Sequence, residues 1–314
     1  MGKLVAYRLL FTLPQLLIVS LLVFSLTFLV PGSPAAAILG PSATPEAIAQ
    51  IEAQLGLDQP FFTQLGEWFA GVLHGDLGTS IRLGLPVTDL LSERVGATLS
   101  LVLGGMVVSL ILGVSAGVYT GTRPGTLADR IVTGGTVVGL AIPEFWMGLI
   151  LVSVFAIQLG WVPIVAWTPI TDDPLLWLRG LILPSLALGI TGGAMIARQT
   201  RAAMVKAMAS PYVDTLTAAG VKRRTIVLRY GIKNALVPVL ASAGVTFAIL
   251  IGVSFVIESV FSVPGVGGLM LTSVIGQDFP VVQGVVLVTA IIVVAVNLLL
   301  DVCYGLINPQ ARPQ

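Results

Sequence analysis

An amphipathic segment interrupts the long apolar runs of this chain, and it reads Ser210-Pro-Tyr-Val-Asp-Thr-Leu-Thr-Ala-Ala-Gly220-Val-Lys-Arg-Arg-Thr-Ile-Val-Leu-Arg-Tyr230-Gly-Ile-Lys-Asn-Ala-Leu-Val-Pro238. Pro211 favours the start of a helix, because the N–H that proline lacks falls among the donors that a first turn leaves unpaired. Gly220 predicts the end of this helix, since glycine adopts the left-handed cap conformation without strain. The segment should lie across a membrane surface, where a soluble partner can grip it.

A second short helix is predicted after Gly220, with a basic side and an apolar side. The basic residues are Lys222, Arg223 and Arg224, and the apolar residues are Ile226, Val227 and Tyr230. Asn234 is then placed to cap the next helix, which soon becomes wholly apolar. The basic run alone is equally compatible with an anchor to membrane lipid, but its place between two apolar runs favours contact with a protein.

Composition identifies a polytopic membrane protein. Of 314 residues, 56% are hydrophobic and 10% are charged, whereas a soluble domain carries about 25% charged residues. The net charge of +1 suggests no nucleic-acid partner. The single cysteine, Cys303, and the single histidine, His74, exclude an intrachain disulfide and a cysteine- or histidine-rich metal site.

Six membrane spans are predicted, since a spanning helix needs about 20 apolar residues. They cover residues 9–30, 97–119, 131–159, 178–196, 235–257 and 281–304. The third is expected to break at Pro143, and the fourth at Pro184 and at Gly192-Gly193. A cleaved signal peptide ending at Ser33-Pro-Ala-Ala-Ala37 is the alternative for the first span, but its apolar run is longer than a signal core.

The regions between the spans differ in charge. Residues 198–233 hold eight basic residues and one acid, whereas residues 31–96 hold seven acids and two bases. Because basic loops stay cytoplasmic, the amphipathic segment and both termini should be inside and the 31–96 excursion outside. Within this excursion, an aromatic-rich helix at 61–73 should lie at the interface or pack, in preference to docking a partner. A loop rich in glycine and proline should cover 261–279.

The expected organisation has three parts. Residues 1–96 form an N-terminal span with an extracytoplasmic excursion, residues 97–307 a five-span core, and residues 308–314 a cytoplasmic tail. The fold class is all-α, with a cytoplasmic amphipathic helical element at about 210–234 between spans four and five. No Gly-x-x-x-x-Gly-Lys-Ser/Thr pattern occurs, so the chain has no P-loop with which to bind ATP.

The amphipathic segment resembles the coupling loop of ABC-importer permeases of the dipeptide/oligopeptide/nickel family, which commonly reads Tyr-Val-Arg-Thr-Ala-Arg-Ala-Lys-Gly. Tyr212, Val213, Thr215, Ala218 and Gly220 match this pattern, whereas Asp214, Leu216, Thr217 and Ala219 depart from it. Further family-like motifs are Gly75–Ser80, Leu159–Pro163, Glu258–Gly267, Asp278-Phe-Pro280 and Asn297–Tyr304, with Asn308-Pro-Gln310 near the end. Their shared order and spacing carry the resemblance along most of the chain.

The resemblance implies a permease subunit that forms half of a translocation pore, for which di- or oligopeptides are the expected substrate. It implies four kinds of partner: a second, homologous permease, two cytoplasmic ATPases that bind ATP and Mg²⁺, an extracytoplasmic substrate-binding protein and membrane lipid of the cell's inner membrane. The chain itself would be no enzyme and hold no cofactor. The residues expected to contact the ATPase are Tyr212, Val213, Asp214, Thr215, Ala218, Gly220, Lys222, Arg223 and Arg224.

Glu144, Pro143 and Glu258 are the candidates for the pore or a gate. A carboxylate at membrane depth is costly unless it faces water or a partner, so Glu144 should line the pore or a helix interface. An ion-coupled secondary transporter that uses Glu144 is the alternative function. The absence of inverted repeats and the large cytoplasmic element count against it, and the few ionisable groups argue against a membrane enzyme.

We predict that a reporter tag after Pro41 is extracytoplasmic and that one after Lys222 is cytoplasmic, because the charge asymmetry sets the orientation. Accessibility of each tag in intact cells and in opened vesicles measures this. Finding both tags on the same side would contradict the six-span topology.

Overall fold

The computed structural model describes residues 2–29, 34–39, 43–54, 56–162 and 167–307. The tag position at Pro41, Ser33 of the signal-cleavage alternative, Val30 at the end of the first predicted span, Pro163 of one family-like motif and the tail 308–314 lie outside these residues. The described chain is all-α apart from one isolated β-bridge between Thr79 and Pro86, which confirms the fold class.

Thirteen α-helices occur in the described residues, and two of them run into π-helical turns. They are α1 (Gly2–Leu29), α2 (Pro34–Leu39), α3 (Pro45–Gln54), α4 (Phe61–Leu73), α5 (Val87–Gly121), α6 (Leu127–Ala141), α7 (Glu144–Leu151), α8 (Pro174–Met208), α9 (Pro211–Ala218), α10 (Arg223–Thr225), α11 (Ile232–Val260), α12 (Val266–Ile275) and α13 (Phe279–Ile307). The π-helical segments Val152–Gln158 and Ile226–Gly231 follow α7 and α10.

Within the described ranges, four helices are long and apolar enough to cross a membrane: Val87–Gly121, Pro174–Met208, Arg223–Val260 and Phe279–Leu306. A fifth candidate is the pair Leu127–Ala141 and Glu144–Gln158, which bends by 102° at its break. In α1 the described apolar stretch covers Leu10–Ser25. The first predicted span, residues 9–30, and with it the count of six spans, therefore stays a prediction.

The chain divides into two compact units. One unit comprises the described residues of Met1–Val5, Ala97–Val263 and Ala295–Gln314, and the other those of Ala6–Gly96 and Pro264–Val294. We describe each unit by itself.

Glycine residues bring α5 close to α8 in the first unit. Gly113, Gly117 and Gly121 follow one another at intervals of four residues in α5, and a Cβ atom at each would collide with α8. The side chains met are those of Ile196, Thr200 and Met204, which have the same spacing. Because the contacts advance together along both helices, α5 and α8 run parallel. Small residues at such intervals let two membrane helices approach to backbone distance.

The parallel packing shows how the bent pair is placed. Gly121 at the end of α5 lies beside Met204 near the end of α8, so the chain must return to the opposite end before α8 begins at Pro174. α6, α7 and the following π-helical segment provide that return. The pair breaks at Ile142-Pro143, where the sequence predicted an interruption, and its being one broken span stays a prediction. Ile142 is extended there, which is the conformation that proline imposes on the residue before it.

Three sequence-based expectations were wrong. α8 continues without a break through Pro184, Gly192 and Gly193, and all three residues are buried against neighbouring parts of the protein. A Cβ at Gly192 would meet Ser109 of α5 and Thr246 of α11, so this glycine serves close packing. The predicted loop 261–279 contains helix α12, whose apolar residues include the buried Leu269.

Two features organise the second unit. The aromatic rings of Phe61 and Trp68 in α4 lie 5.6 and 5.8 Å from that of Phe24 in α1, so α4 is a packed helix. The Asp278 carboxylate accepts hydrogen bonds from the Ser80 hydroxyl at 2.5 Å and from the backbone N–H of Ile81 at 3.0 Å. The family-like motifs at 75–80 and 278–280 thus meet at a buried carboxylate.

We predict that Gly117→Leu destabilises the protein by about 1–3 kcal/mol, the range for overpacking a filled interface. A side chain at this position would meet Thr200 and the carbonyl of Ala197. Gly134→Leu in α6 is the matched control, because nothing lies within 4 Å of a Cβ there. The midpoint of thermal unfolding in detergent measures both variants, and an equal midpoint would contradict the close α5–α8 contact.

Candidate coupling site

Helix α9 is a short helix with a defined start and end. Ser210 is extended and Pro211 occupies the first turn, as expected. At the other end, the N–H of Gly220 donates to the carbonyl of Thr217 at 3.0 Å, and the N–H of Val221 donates to that of Leu216 at 3.0 Å. This pair of bonds is the Schellman motif, which satisfies the last carbonyls of a helix.

Gly220 provides the backbone conformation that the motif needs. Its φ is 77°, in the left-handed region, which confirms the expected cap. Nothing lies within 4 Å of a Cβ placed on Gly220, so the requirement for glycine is conformational and not steric. Residues 217–220 are exposed, which leaves this end of α9 open to solvent.

The chain after Gly220 differs from the expected second short helix. α10, the π-helical segment Ile226–Gly231 and α11 form one continuous helix, Arg223–Val260. Gly231 keeps helical angles, φ −61° and ψ −54°, so the helix does not end there. Ile226 is buried, whereas Tyr230 on the expected apolar side is exposed.

Asn234 is therefore not a helix cap. It lies inside the continuous helix, and its side-chain amide donates to the Tyr212 hydroxyl at 3.1 Å. This contact joins α9 to the start of α11, across 22 residues of sequence. Tyr212 and Asn234 were both noted in the sequence, but their pairing was not predicted.

The basic run is exposed and makes one contact with the rest of the unit. The side chains of Lys222, Arg223 and Arg224 are all exposed. The Arg223 guanidinium donates to the backbone carbonyl of Thr122 at 2.9 Å, in the link between α5 and α6. Lys222 and Arg224 therefore stay available to a partner, while Arg223 also holds the link.

A concave pocket of about 450 Å³ lies between α9, the end of α8 and this link. Its lining residues are Gly121, Thr122, Pro124, Val205, Met208, Ala209, Val213, Asp214, Thr217, Val221, Arg223 and Ile226. Val213, Asp214 and Arg223 are thus brought together, as members of the predicted contact set. Thr215 and Ala218 are exposed and do not line the pocket.

The strongest polar contact near this site was missed in the sequence. Arg201 in α8 donates two hydrogen bonds to Asp129 in α6, from Nε at 2.6 Å and from Nη2 at 2.7 Å. Asp129 is 5% exposed in its side chain. The pattern Thr126-x-x-Asp129 was a signal, because it is that of a helix-capping box, and Thr126 indeed accepts from the Asp129 N–H at 3.2 Å.

The pore and gate candidates lie elsewhere in the first unit. Pro143 precedes α7 and Glu144 is its first residue, half-buried and without a hydrogen-bond partner among the described residues. Glu258 in α11 is 1% exposed and accepts a hydrogen bond from Thr98 of α5 at 2.5 Å. Gly148 of α7 packs against Phe261 at the end of α11, so the segments that carry the two acids are in contact.

Two family models match most of the chain. Residues 109–313 match the family model described as binding-protein-dependent transport system inner membrane component, and residues 1–102 match the model of its N-terminal region. The glutathione transport system permease protein GsiC of Escherichia coli strain K12 is 38% identical over 97% of each chain. The probable peptide ABC transporter permease protein y4tP of Sinorhizobium fredii is 38% identical over 99% of this chain and 100% of its own.

A solved structure shares the fold. The MetNI methionine ABC transporter, in an inward-facing conformation, contains a chain with a TM-score of 0.58 and 19% identity, which covers 70% of this chain and 96% of its own. The family match gives no support to an ion-coupled secondary transporter. This chain belongs to the binding-protein-dependent transport system inner membrane component family, and it is a multi-pass permease subunit of an ABC importer.

Proposed function

We propose that this permease forms half of a translocation pathway for peptides and that α9 receives the motion of an ATPase. The observation that carries the proposal is the geometry of α9, a capped helix whose far end is open to solvent and whose base is tied to α11. Such an element can be gripped from the cytoplasm without unfolding, because its own hydrogen bonds are satisfied.

Peptides are the proposed substrate class because of the relatives. The proteins from E. coli and S. fredii are similar over nearly the whole chain, and their names specify glutathione and peptide transport. Di- or oligopeptides would be delivered by an extracytoplasmic binding protein. The pore would be completed by a second, homologous permease.

The orientation proposed for the chain follows its charges. The basic region around α9 would face the cytoplasm, with both termini on that side and the excursion of residues 31–96 outside the inner membrane. Two cytoplasmic ATPases would hold ATP and Mg²⁺. One of them would contact the half-buried Tyr212 and Val213 together with the exposed residues Asp214, Thr215, Ala218, Gly220, Lys222, Arg223 and Arg224.

Energetically, the ATPases can drive transport only if their closed state favours one permease conformation over the other. The coupling free energy between two such sites is commonly about 1–3 kcal/mol. In this chain α9 would transmit that preference, because α8 leads into it through residues 209–210 and the short turn at residues 219–222 leads out of it into α10–α11.

We expect Gly220→Val to reduce coupling while leaving membrane insertion normal. A β-branched residue at φ 77° adds about 1–3 kcal/mol of strain, so the Schellman motif should open and the basic run should leave its position. The measurement is ATP hydrolysis by the reconstituted complex with and without loaded binding protein. Loss of the stimulation is the expected result.

Ala219→Val is the matched control for this variant. Ala219 is exposed and has an ordinary φ of −77°, so valine adds the same bulk without backbone strain. In this variant, loaded binding protein should stimulate ATP hydrolysis about as much as in the wild type. Full stimulation in Gly220→Val would reject α9 as the transmitting element.

We expect Glu144→Gln to leave assembly and ATPase binding intact and to reduce uptake of cationic peptides more than that of neutral peptides. The reason is that Glu144 is half-buried and unpaired among the described residues, so its charge is available to a passing ligand. Asp301→Asn, at another half-buried acid, is the control. Equal effects on both peptide classes would remove Glu144 from the substrate path.

A further inference from the structure

The link between α5 and α6, residues 122–126, is held from two sides. On one side Arg223 donates to its Thr122 carbonyl at 2.9 Å. On the other side the Asp129 carboxylate accepts from the Gly125 N–H at 2.9 Å and from both Arg201 nitrogens. The link is therefore attached to the segment after α9 and to α8, the helix that leads into α9.

Asp129 combines two roles in one side chain. At the start of α6, its carboxylate accepts a hydrogen bond from the backbone N–H of Gly125 and another from the Thr133 hydroxyl at 3.3 Å. It also binds Arg201 in bidentate geometry, which fixes orientation as well as distance. α6 is thus oriented relative to α8 by the same group that begins it.

The rest of α6 is packed less closely. A groove of about 280 Å³ opens between α5, α6 and α8, lined mainly by small residues such as Gly135, Gly139 and Ala194. Nothing lies within 4 Å of a Cβ placed on Gly134 or Gly135. The α6 helix is therefore fixed at its first turn and has room beside its middle.

We propose that Asp129, Arg201 and Arg223 form a clasp that carries displacement of α9 to the broken span α6–α7. Chain connectivity joins α9 only to α8 and to α10–α11, whereas α6–α7 carries Pro143 and Glu144. The clasp supplies the polar connection to this span among the described residues. Asp129 and Arg201 are then positioning residues for transport, and they touch neither ATP nor substrate.

The clasp rests on the proposed function, because it assigns a route to the motion that α9 receives. When α9 and the end of α8 shift, the bidentate pair makes the first turn of α6 follow. The open groove allows the middle of α6 to tilt without collision, and the break at Ile142-Pro143 converts that tilt into a change of the angle at Glu144. Without the clasp, ATP hydrolysis would continue but move this span less.

The test compares peptide uptake with ATP hydrolysis in proteoliposomes that contain the whole transporter. Asp129→Asn and Arg201→Gln should each lower the number of peptides taken up per ATP hydrolysed by at least about fivefold, the lower end of the usual coupling range. The double variant should be no worse than either single one, because the pair acts as a unit. Arg201→Lys should recover part of the ratio, since it restores charge but not the bidentate contact.

Thr126→Ala is the matched control. It removes the other cap of α6, the hydroxyl that accepts from the Asp129 N–H, and leaves the ion pair in place. A cap of this kind is worth about 1 kcal/mol of stability, so this variant reports the effect of weakening α6 alone. Its ratio of uptake to hydrolysis should match that of the wild type at equal amounts of assembled complex.

The outcomes separate the clasp from the proposed function. A wild-type complex that takes up no peptide in response to loaded binding protein rejects the peptide importer itself. A working wild type whose ratio is unchanged in Asp129→Asn rejects the clasp. In a third outcome, peptide uptake and ATP hydrolysis fall together in the Asp129 and Arg201 variants, in proportion to the loss of assembled complex, and Thr126→Ala has the same effect. This would show that the pair only stabilises the fold, and it would also reject the clasp.

Discussion

The close contact of α5 with α8 is the constraint on which the first unit depends. Gly113, Gly117 and Gly121 leave no room for a side chain against α8, so the two helices approach at backbone distance and run parallel. Their parallel course requires the chain to return between them through α6–α7, and it brings the α5–α6 link beside the end of α8. The candidate coupling site occupies that place because the glycine contacts put it there, and not because its own residues attract one another strongly.

The candidate coupling site itself is built from modest interactions in series. A Schellman motif ends α9, a neutral hydrogen bond joins Tyr212 to Asn234, and the exposed Arg223 reaches a carbonyl of the link. Each such bond contributes about 1 kcal/mol. Only the Asp129–Arg201 pair combines burial, charge and bidentate geometry. In the proposed mechanism a partner rearranges the weaker contacts, and the Asp129–Arg201 pair is the firm point.

Local features were predictable from the sequence, and contacts between distant residues were not. Pro211 marks the start of α9 and Gly220 marks its end, as expected, because each residue acts through its own backbone conformation. The cap predicted at Asn234 did not form, because the helix continues through Gly231 with helical backbone angles. The Asp129–Arg201 pair, 72 residues apart, left no periodic signal. The bend of 102° at Ile142-Pro143 could not be predicted either, because a proline indicates where a helix breaks but not the angle of the bend.

The continuous helix Arg223–Val260 limits how the length of this chain can change over evolutionary time. Each residue of an α-helix turns the chain by about 100°, so one residue gained or lost between its ends would rotate every later side chain out of register. Glu258 would turn away from Thr98, and Asn234 would keep its hydroxyl partner only if the change fell beyond it. Insertions and deletions should therefore be excluded from this stretch in descendants of the gene, whereas the exposed turn before α8 at residues 170–173 can accept them. The length of this helix therefore fixes the distance between Asn234 near its start and Glu258 near its end.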